Sequence, residues 1–248
     1  MELKASQQYW DDHWQGEGFS IAPQHHPIRR WIESEMPHPA EADVFEVGCY
    51  PGKFLAVFGE RGCVLNGIDS FPKTNSLMSK WLSGGRYKIG RFYQSDFLSF
   101  TPSRQYDVVC SFGFIEHFKN WKAVLAKHID LAKDGGCIMV DVPNLGSPLY
   151  YLLYKIFEPE ILKNHELSAL DKNAICSVFK KNGCPVKTAE YLGYFYFRFI
   201  GRRDKFSAAL SKSINLLRPL FELLPRSIYA RYIAVSAVKA DPNIIHDL

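Results

Sequence analysis

The sequence contains no Cys-x-x-Cys pair, no apolar run of eighteen residues and no large excess of charge of either sign. Its six cysteines are scattered, several in or beside apolar runs, which is typical of small buried side chains in a reducing compartment. Neither disulfides nor cysteine-bound metals are therefore expected. The lack of a long apolar run, or of an apolar core near the N-terminus, predicts a cytoplasmic chain without a membrane span. A net charge of +4 is too small to indicate nucleic acid, so none is expected as a partner.

Two phosphate-binding fingerprints are also missing from the stretch 43–52, which reads Asp-Val-Phe-Glu-Val-Gly-Cys-Tyr-Pro-Gly. Tyr50 stands where the dinucleotide pattern Gly-x-Gly-x-x-Gly needs a glycine, and no Gly-Lys-Ser/Thr follows. What is present is an apolar strand, a turn marked by Gly48 and Gly52, and helical spacing over 53–60. Strand, turn and helix in this order are the usual opening unit of a nucleotide-type site.

The composition suits one elaborated domain, because 248 residues that are 47% hydrophobic can bury a large core. Predicted strands and helices alternate after residue 43, which favours an α/β fold with a mostly parallel sheet. We divide the chain into an N-terminal helical cap or lid (1–42), an α/β core (43–192), a basic amphipathic helical insertion (193–231), and a last core strand with a tail (232–248).

An acidic residue ends the second predicted strand, 63–69. Asp69 lies seventeen positions after Gly52, close to the spacing at which a carboxylate reaches ribose hydroxyls in doubly wound folds. The alternative is that Asp69 caps a helix beginning near Pro72.

Three more strands are predicted along the core. The first, 87–93, leads into the turn that holds Asp96 and Phe97. The second, 106–112, is rich in β-branched residues and is followed by a helix through about Lys133. A turn at 134–136 then precedes the third, 137–143.

These segments, taken in order, resemble the class I S-adenosylmethionine-dependent methyltransferases. The resemblance rests on the acid and glycines of 46–52, on Asp69, on Asp96 with its apolar neighbour, and on the strands 106–112 and 137–143. It implies a Rossmann-like, seven-stranded sheet with an antiparallel last strand, and S-adenosyl-L-methionine as the methyl donor. It also implies cofactor contacts at Glu46, Gly48, Tyr50, Gly52, Asp69, Ser70, Asp96, Phe97, Ser111 and Phe112.

Individual roles follow from the same resemblance. The carboxylate of Asp69 would accept from the ribose hydroxyls and that of Asp96 from the adenine amine, while the amide of Phe97 would donate to a ring nitrogen. Two interpretations stay open for Tyr50. Its ring borders the methionine end of the cofactor, or it weakens binding because a side chain there restricts positive φ and fills space.

Two histidines are candidates for the catalytic role. Glu116 and His117 follow the strand 106–112, and three interpretations stay open for the pair: a helix start, a substrate-facing base, or a metal site. The metal interpretation needs a third ligand that the sequence does not identify, so no metal is predicted. His165, in a loop before a helix expected at 171–181 with Ser168 as its cap, is the second catalytic candidate, or it bonds a loop.

The two flanking segments also allow two interpretations each. Residues 5–36 hold three of the five tryptophans, which indicates an amphipathic cap on the core or an aromatic lid that excludes water from a reaction. Residues 196–231 hold eight basic and two acidic residues, a net charge of +6, with apolar residues at helical spacing. They indicate core-facing helices or a surface for anionic lipid and lipid-linked substrates.

The acceptor predicted from the resemblance is a hydroxyl, on a saccharide or a lipid-linked glycan, because the segments around 142–165 and 191–193 look like methyltransferases of glycan assembly. The alternatives are a small-metabolite O- or N-methyltransferase and a non-catalytic binding module. Alignment of donor and acceptor can supply most of the acceleration, with a base required only for a hydroxyl.

Overall fold

The computed structural model describes residues 3–5, 9–10, 14, 18–36, 41–202 and 204–241. Seven strands form one sheet in the order β3-β2-β1-β4-β5-β7-β6. They are β1 (Asp43–Val47), β2 (Val64–Asp69), β3 (Lys88–Gln94), β4 (Tyr106–Phe112), β5 (Ala132–Pro143), β6 (Val186–Leu192) and β7 (Tyr232–Val238).

The sheet is parallel except at its last strand. β1 pairs in parallel with β2 and β4, and β4 pairs in parallel with β5. β7 lies between β5 and β6 and is antiparallel to both. The predicted seven-stranded sheet with an antiparallel last strand is therefore confirmed.

Helices cover both faces of the sheet. They are α1 (Pro27–Glu35), α2 (Leu55–Glu60), α3 (Ser79–Gly84), α4 (Trp121–Leu131), α5 (Pro148–Phe157), α6 (Pro159–Lys163), α7 (Lys172–Lys181), α8 (Lys205–Leu216), α9 (Arg218–Phe221) and α10 (Arg226–Tyr229). A π-helix spans Thr74–Met78, and 3-10 turns span Ile115–His117 and Leu167–Ala169.

Two apolar clusters fill the space between the helices and the sheet. On one face, α1, α2 and α3 contribute side chains such as Trp31, Phe58 and Leu82. On the other, α4 and α7 contribute Trp121 and Phe179. Burial on both faces explains the nearly continuous apolar runs of the central strands, which parallel sheets require.

Two predicted boundaries are wrong. The helix before β5 ends at Leu131 and not near Lys133, because Ala132 is already extended and pairs with Tyr106 of β4. The turn expected at 134–136 consequently lies within the strand β5, although Gly135 has the positive φ typical of a turn.

The cap predicted for α7 is also wrong. Asp171 caps this helix, since its Oδ1 accepts from the amides of Asn173 at 2.7 Å and Ala174 at 3.3 Å. The hydroxyl of Ser168 is instead 3.0 Å from Nε1 of Trp121, from which it accepts a hydrogen bond.

The segment that connects β6 to β7 packs on the core through Ile214 and Phe221, but much of its predicted apolar face is exposed. Within α8, only Ser207 is buried. Phe206 and Leu216 are each 73% exposed and Leu220 is 63% exposed, so the apolar side chains that were expected to face the core lie largely at the surface. The apolar core of the segment comes from Phe195 and Phe197, which precede the helices.

The described part of the chain has no helix that is long and apolar enough to cross a membrane. The six cysteines are free thiols, four of them buried.

Candidate functional site

The turn after β1 brings the backbone close to several neighbours. Gly48 and Gly52 have φ values of +71° and +84°, which an L side chain rarely adopts. A Cβ on Gly48 would lie 2.5 Å from the ring of Phe114, so a larger residue would displace that ring. The amide of Gly48 donates to the carbonyl of Ile68 at 2.9 Å, which ties the turn to the end of β2.

The carboxylate of Asp69 bonds the backbone on both sides of the contact between the turn after β1 and the end of β2. Its Oδ2 accepts from the amide of Tyr50 at 3.0 Å and its Oδ1 from the amide of Phe71 at 2.8 Å. The helical segment after this turn begins at Thr74 with Lys73 at its N-cap, so the alternative in which Asp69 caps that helix is wrong. Burial raises the pKa of Asp69, and the two amides oppose that rise because they stabilise the charged form.

Tyr50 does not have the backbone conformation that its position suggested. Among the described residues, Arg86 is the only non-glycine with positive φ, so the turn places no such strain on Tyr50. The Tyr50 ring is 5% exposed and packs 4.4 Å from the ring of Phe71, with Trp14 and Phe19 at 5.7 and 5.8 Å. Tyr50 is therefore part of an aromatic cluster at the cavity wall.

A cavity of about 310 Å³ opens where the carboxyl ends of β1, β2 and β4 meet. This is where open α/β sheets bind their ligands. Nine of the ten predicted cofactor residues line it: Glu46, Gly48, Tyr50, Gly52, Asp69, Ser70, Asp96, Phe97 and Phe112. Ser111 is fully buried within β4 and does not line the cavity. Motifs that are far apart in the sequence therefore come together at one cavity in the fold.

The turn at Asp96 is stabilised by its own side chain and by a lysine. Oδ1 of Asp96 accepts from the amide of Leu98 at 2.9 Å. Nζ of Lys127 donates to the carbonyls of Phe97 and Leu98 at 2.6 and 2.9 Å. The Phe97 side chain is buried against Phe114, so its position depends on the core.

The floor of the cavity is rich in buried carboxyl groups. Burial raises the pKa of Glu46 well above its usual range, and the neighbouring Asp69 and Asp141 raise it further. Burial also raises the pKa of Asp141 to about 8. Oε2 of Glu46 has no hydrogen-bond partner within the described ranges, although it is buried. Because an unpartnered buried oxygen is costly, this floor suits a ligand that carries N–H donors and positive charge.

S-adenosylmethionine fits these residues. Its ammonium and sulfonium groups are positive, which suits the carboxyl-rich floor at Glu46. Its ribose hydroxyls suit Asp69, and its adenine suits the turn at Asp96. The residues that the sequence associated with this cofactor thus have the chemistry to hold it.

The two catalytic candidates lie side by side at one end of the cavity. The ring centroids of His117 and His165 are 4.6 Å apart, although 47 positions separate the residues. Nδ1 of His117 is 2.9 Å from the carbonyl of Asn164, and Nδ1 of His165 is 2.6 Å from that of Ile161. His117 lines the cavity, whereas His165 lies behind it.

The side chain of Glu116 lies beside this histidine pair. Oε1 of Glu116 is 3.9 Å from Nε2 of His117. Burial raises the pKa of Glu116 well above its usual range, and Asp141 adds to the rise. The amide of Glu166 donates to the carbonyl of Glu116 at 2.6 Å, which holds the loop of His165 against the 3-10 turn.

Several cavity residues were not among the predicted catalytic and cofactor-binding residues. Trp10 packs edge-on against His117 with centroids 4.6 Å apart, and Trp14 and Leu3 also line the cavity. The aromatic content of 5–36 was the available signal for the two tryptophans. Arg198 lines the cavity as well. In the sequence it was noted only as one of the basic residues of 196–231.

The comparisons with known proteins agree with this architecture. A family model described as a methyltransferase domain matches residues 22–191. A ubiquinone biosynthesis O-methyltransferase of Saccharophagus degradans is 27% identical over 154 residues, which are 60% of this chain and 64% of that protein. The match therefore spans less than two thirds of that relative.

Two solved structures share the fold. A SAM-dependent methyltransferase of Archaeoglobus fulgidus superposes with a TM-score of 0.54 at 19% identity, over 93% of this chain and 98% of that one. Phosphoethanolamine N-methyltransferase 2 of Haemonchus contortus, in complex with S-adenosyl-L-methionine, superposes with a TM-score of 0.62 at 12% identity. The superposition covers 95% of this chain and 58% of that one. These two structures share the fold, and the family match identifies this chain as a member of the methyltransferase domain family.

Proposed function

We propose that this protein transfers the methyl group of S-adenosylmethionine to a hydroxyl oxygen, and that His117 acts on that hydroxyl with Glu116 and His165 packed beside it. The observation that carries the proposal is a cluster of three buried polar side chains, of which His117 lines the cavity while Glu116 and His165 do not. A hydroxyl becomes a good nucleophile when its proton is removed, so such a cluster has a use in O-methylation. The similarity to an O-methyltransferase supports the same acceptor atom.

Different residues of the chain bind the cofactor at one end of the cavity and contact the acceptor at the other. The bound cofactor supplies an electrophilic methyl group. Glu46, Asp69 and Asp96 hold the cofactor, and His117 presents its ring to the acceptor end. Trp10 packs against His117 at that end, and Trp14 lines the cavity beside Tyr50, so both help to exclude water and align the reactants.

The acceptor class in this proposal is a saccharide or glycan carried on a lipid. The aromatic rings of Trp10 and Trp14 offer flat apolar faces suited to the C–H face of a sugar ring. Arg198 belongs both to the cavity lining and to the basic segment, so it links the acceptor end to the exposed helices. That segment combines apolar and basic side chains, the chemistry that an anionic membrane surface binds.

The first prediction concerns His117. Transfer of labelled methyl from S-adenosylmethionine should occur to hydroxyl acceptors, tested with a phenol, a free saccharide and an isoprenoid-linked saccharide. His117→Gln should lower kcat about 100-fold, within the usual contribution of acid–base groups, and leave cofactor binding unchanged. The matched control is His25→Gln, because His25 is an exposed histidine. Methylation confined to small amines, or full turnover by His117→Gln, would contradict the proposal.

A further inference from the structure

We infer that Glu116, His117 and His165 form a binding site for a divalent transition-metal ion. One ligand atom from each residue lies within 4.8 Å of the others. The three residues are 1%, 4% and 6% exposed, so they are withdrawn from bulk water. No local pattern in the sequence marks a third ligand beside Glu116 and His117, so no metal was expected, and the fold supplies that ligand as His165.

Both histidines are oriented as metal ligands usually are. A backbone carbonyl can only accept a hydrogen bond, so Nδ1 of each ring carries the proton that bonds Asn164 or Ile161. Nε2 of each neutral ring then carries the lone pair. A hydrogen bond from the second nitrogen to a carbonyl is the common way in which proteins fix the tautomer and direction of a ligating histidine.

Glu116 supplies a buried carboxyl oxygen that lacks a hydrogen-bond donor within the described residues. Its Oε2 is buried and has no hydrogen-bond partner in the part of the chain that the structure describes. A buried carboxylate oxygen without a partner is unfavourable, and native proteins rarely leave one unexplained. A cation between Glu116 and the two Nε2 atoms would satisfy it.

The backbone joins the segments that carry the ligands. The amide of Glu166 donates to the carbonyl of Glu116 at 2.6 Å, and the amide of Lys4 donates to the carbonyl of His117 at 2.8 Å. The first bond joins the loop after α6 to the turn after β4, and the second joins the N-terminal segment to the same turn. The site is thus supported from more than one direction.

The ligand set selects the class of ion. Two imidazoles and one carboxylate suit Zn²⁺, Co²⁺, Mn²⁺ or Fe²⁺, whereas Mg²⁺ and Ca²⁺ prefer oxygen ligands throughout. Ligands about 2.1 Å from one ion lie roughly 3.0–3.4 Å apart. The 3.9 Å between Oε1 of Glu116 and Nε2 of His117 therefore has to shorten, which a small rotation of the Glu116 side chain can achieve.

The site opens to the cavity through His117, so an ion there can reach the acceptor. The lone pair of His117 Nε2 can hold a metal ion or accept a proton, but not both. A bound ion, held by Glu116, His117 and His165, would supply Lewis-acid polarisation of the acceptor hydroxyl in place of proton removal by His117. This role rests on the proposed function, whereas metal binding itself does not.

Direct metal binding tests the inference without any acceptor. The full chain is stripped with a chelator and titrated with Zn²⁺ by calorimetry and with Co²⁺ by visible absorption. We expect one ion per chain, with Glu116→Gln and His165→Gln each weakening binding at least ~10-fold. His25→Gln is the control and should bind as the wild type does. Circular dichroism verifies that the variants are folded, and Glu116→Gln preserves the size of the side chain.

Two results would overturn the site: no stoichiometric binding of either ion to the wild-type chain, or equal binding by folded Glu116→Gln and His165→Gln variants. The outcome is independent of methyl transfer. A chain that binds the ion but methylates no hydroxyl would contradict the proposed function and leave the site supported.

Discussion

At the scale of single residues, Tyr50 separates two interpretations of the glycine turn. Its ring packs against Phe71 in the cluster at the cavity wall. Tyr50→Gly should therefore lower the free energy of unfolding by about 3 kcal/mol and weaken cofactor binding, because it removes a packed aromatic ring. Tyr50→Phe, which keeps the ring, should behave almost as the wild type in denaturant titration and calorimetry. Tighter cofactor binding by Tyr50→Gly, with turnover intact, would show that the ring obstructs the site.

His128 gives a second prediction at this scale, on pH. Burial lowers the pKa of this fully buried ring to about 4, although its Nδ1 bonds the carbonyl of Val124. The unfolded ring takes up a proton near its ordinary pKa of about 6.5. Between these values the unfolded state binds more protons, so the contribution of His128 to stability is complete above that range and is lost as pH falls toward 4.

His128→Phe should remove that dependence. The difference in unfolding free energy between wild type and His128→Phe should change by about 2–3 kcal/mol from pH 7 to pH 4.5, at about 1.4 kcal/mol per pH unit. Urea denaturation at the two pH values measures it, with exposed His25→Gln as the control. A difference that does not vary with pH would mean that the folded ring titrates normally.

At the scale of elements, the helices α8 and α9 predict a membrane contact. Phe206, Leu216 and Leu220 are more than half exposed, as is Leu223 at 83%, just after α9. Lysines and arginines accompany them in a segment of net charge +6. The chain should float with liposomes that contain anionic lipid, and less so as salt is raised, because screening weakens the electrostatic part.

Paired variants test which helices bind the membrane. Leu220→Glu with Leu223→Glu should abolish flotation, since both changes place a negative charge where an apolar contact is expected. Leu77→Glu is the matched control, because Leu77 is 46% exposed and lies on the π-helix outside this segment. Equal recovery with neutral and anionic liposomes, or flotation of the double variant, would contradict the contact.

At the scale of the whole molecule, cofactor binding should stabilise the fold. S-adenosylmethionine at 100 times its Kd adds about 2.7 kcal/mol, which raises Tm by about 5–10 °C for a domain of this size. Asp69→Ala removes the acceptor that joins the turn after β1 to the end of β2 and that faces the cavity. The affinity of the Asp69→Ala variant for S-adenosylmethionine should fall about 10-fold, which halves the Tm shift at the same cofactor concentration.

A thermal melt with and without cofactor measures this shift. Glu160→Ala is the control, because Glu160 pairs with Lys163 at an exposed position away from the cavity lining. If Asp69→Ala shows the same shift as the wild type, Asp69 does not contribute to cofactor binding.

The sequence by itself determined the sheet and the cofactor end of the cavity. Alternating apolar strands and helices require a mostly parallel sheet, and in such a sheet the strand ends meet at one edge. The residues at the carboxyl ends of β1, β2 and β4, including Glu46, Asp69 and Phe112, consequently line one cavity. Each lies next to a strand end, so local pattern was enough to find them.

Only the tertiary structure decided the acceptor end. His165 meets Glu116 and His117 because the loop after α6 folds back onto the turn after β4, a contact that no local pattern encodes. Trp10 reaches His117 from the N-terminal segment in the same way. The exposure of α8 was also beyond the sequence, since apolar residues at helical spacing predict an apolar face but not what covers it. Long-range packing settles which faces are buried, and it also created the cluster proposed to bind a metal.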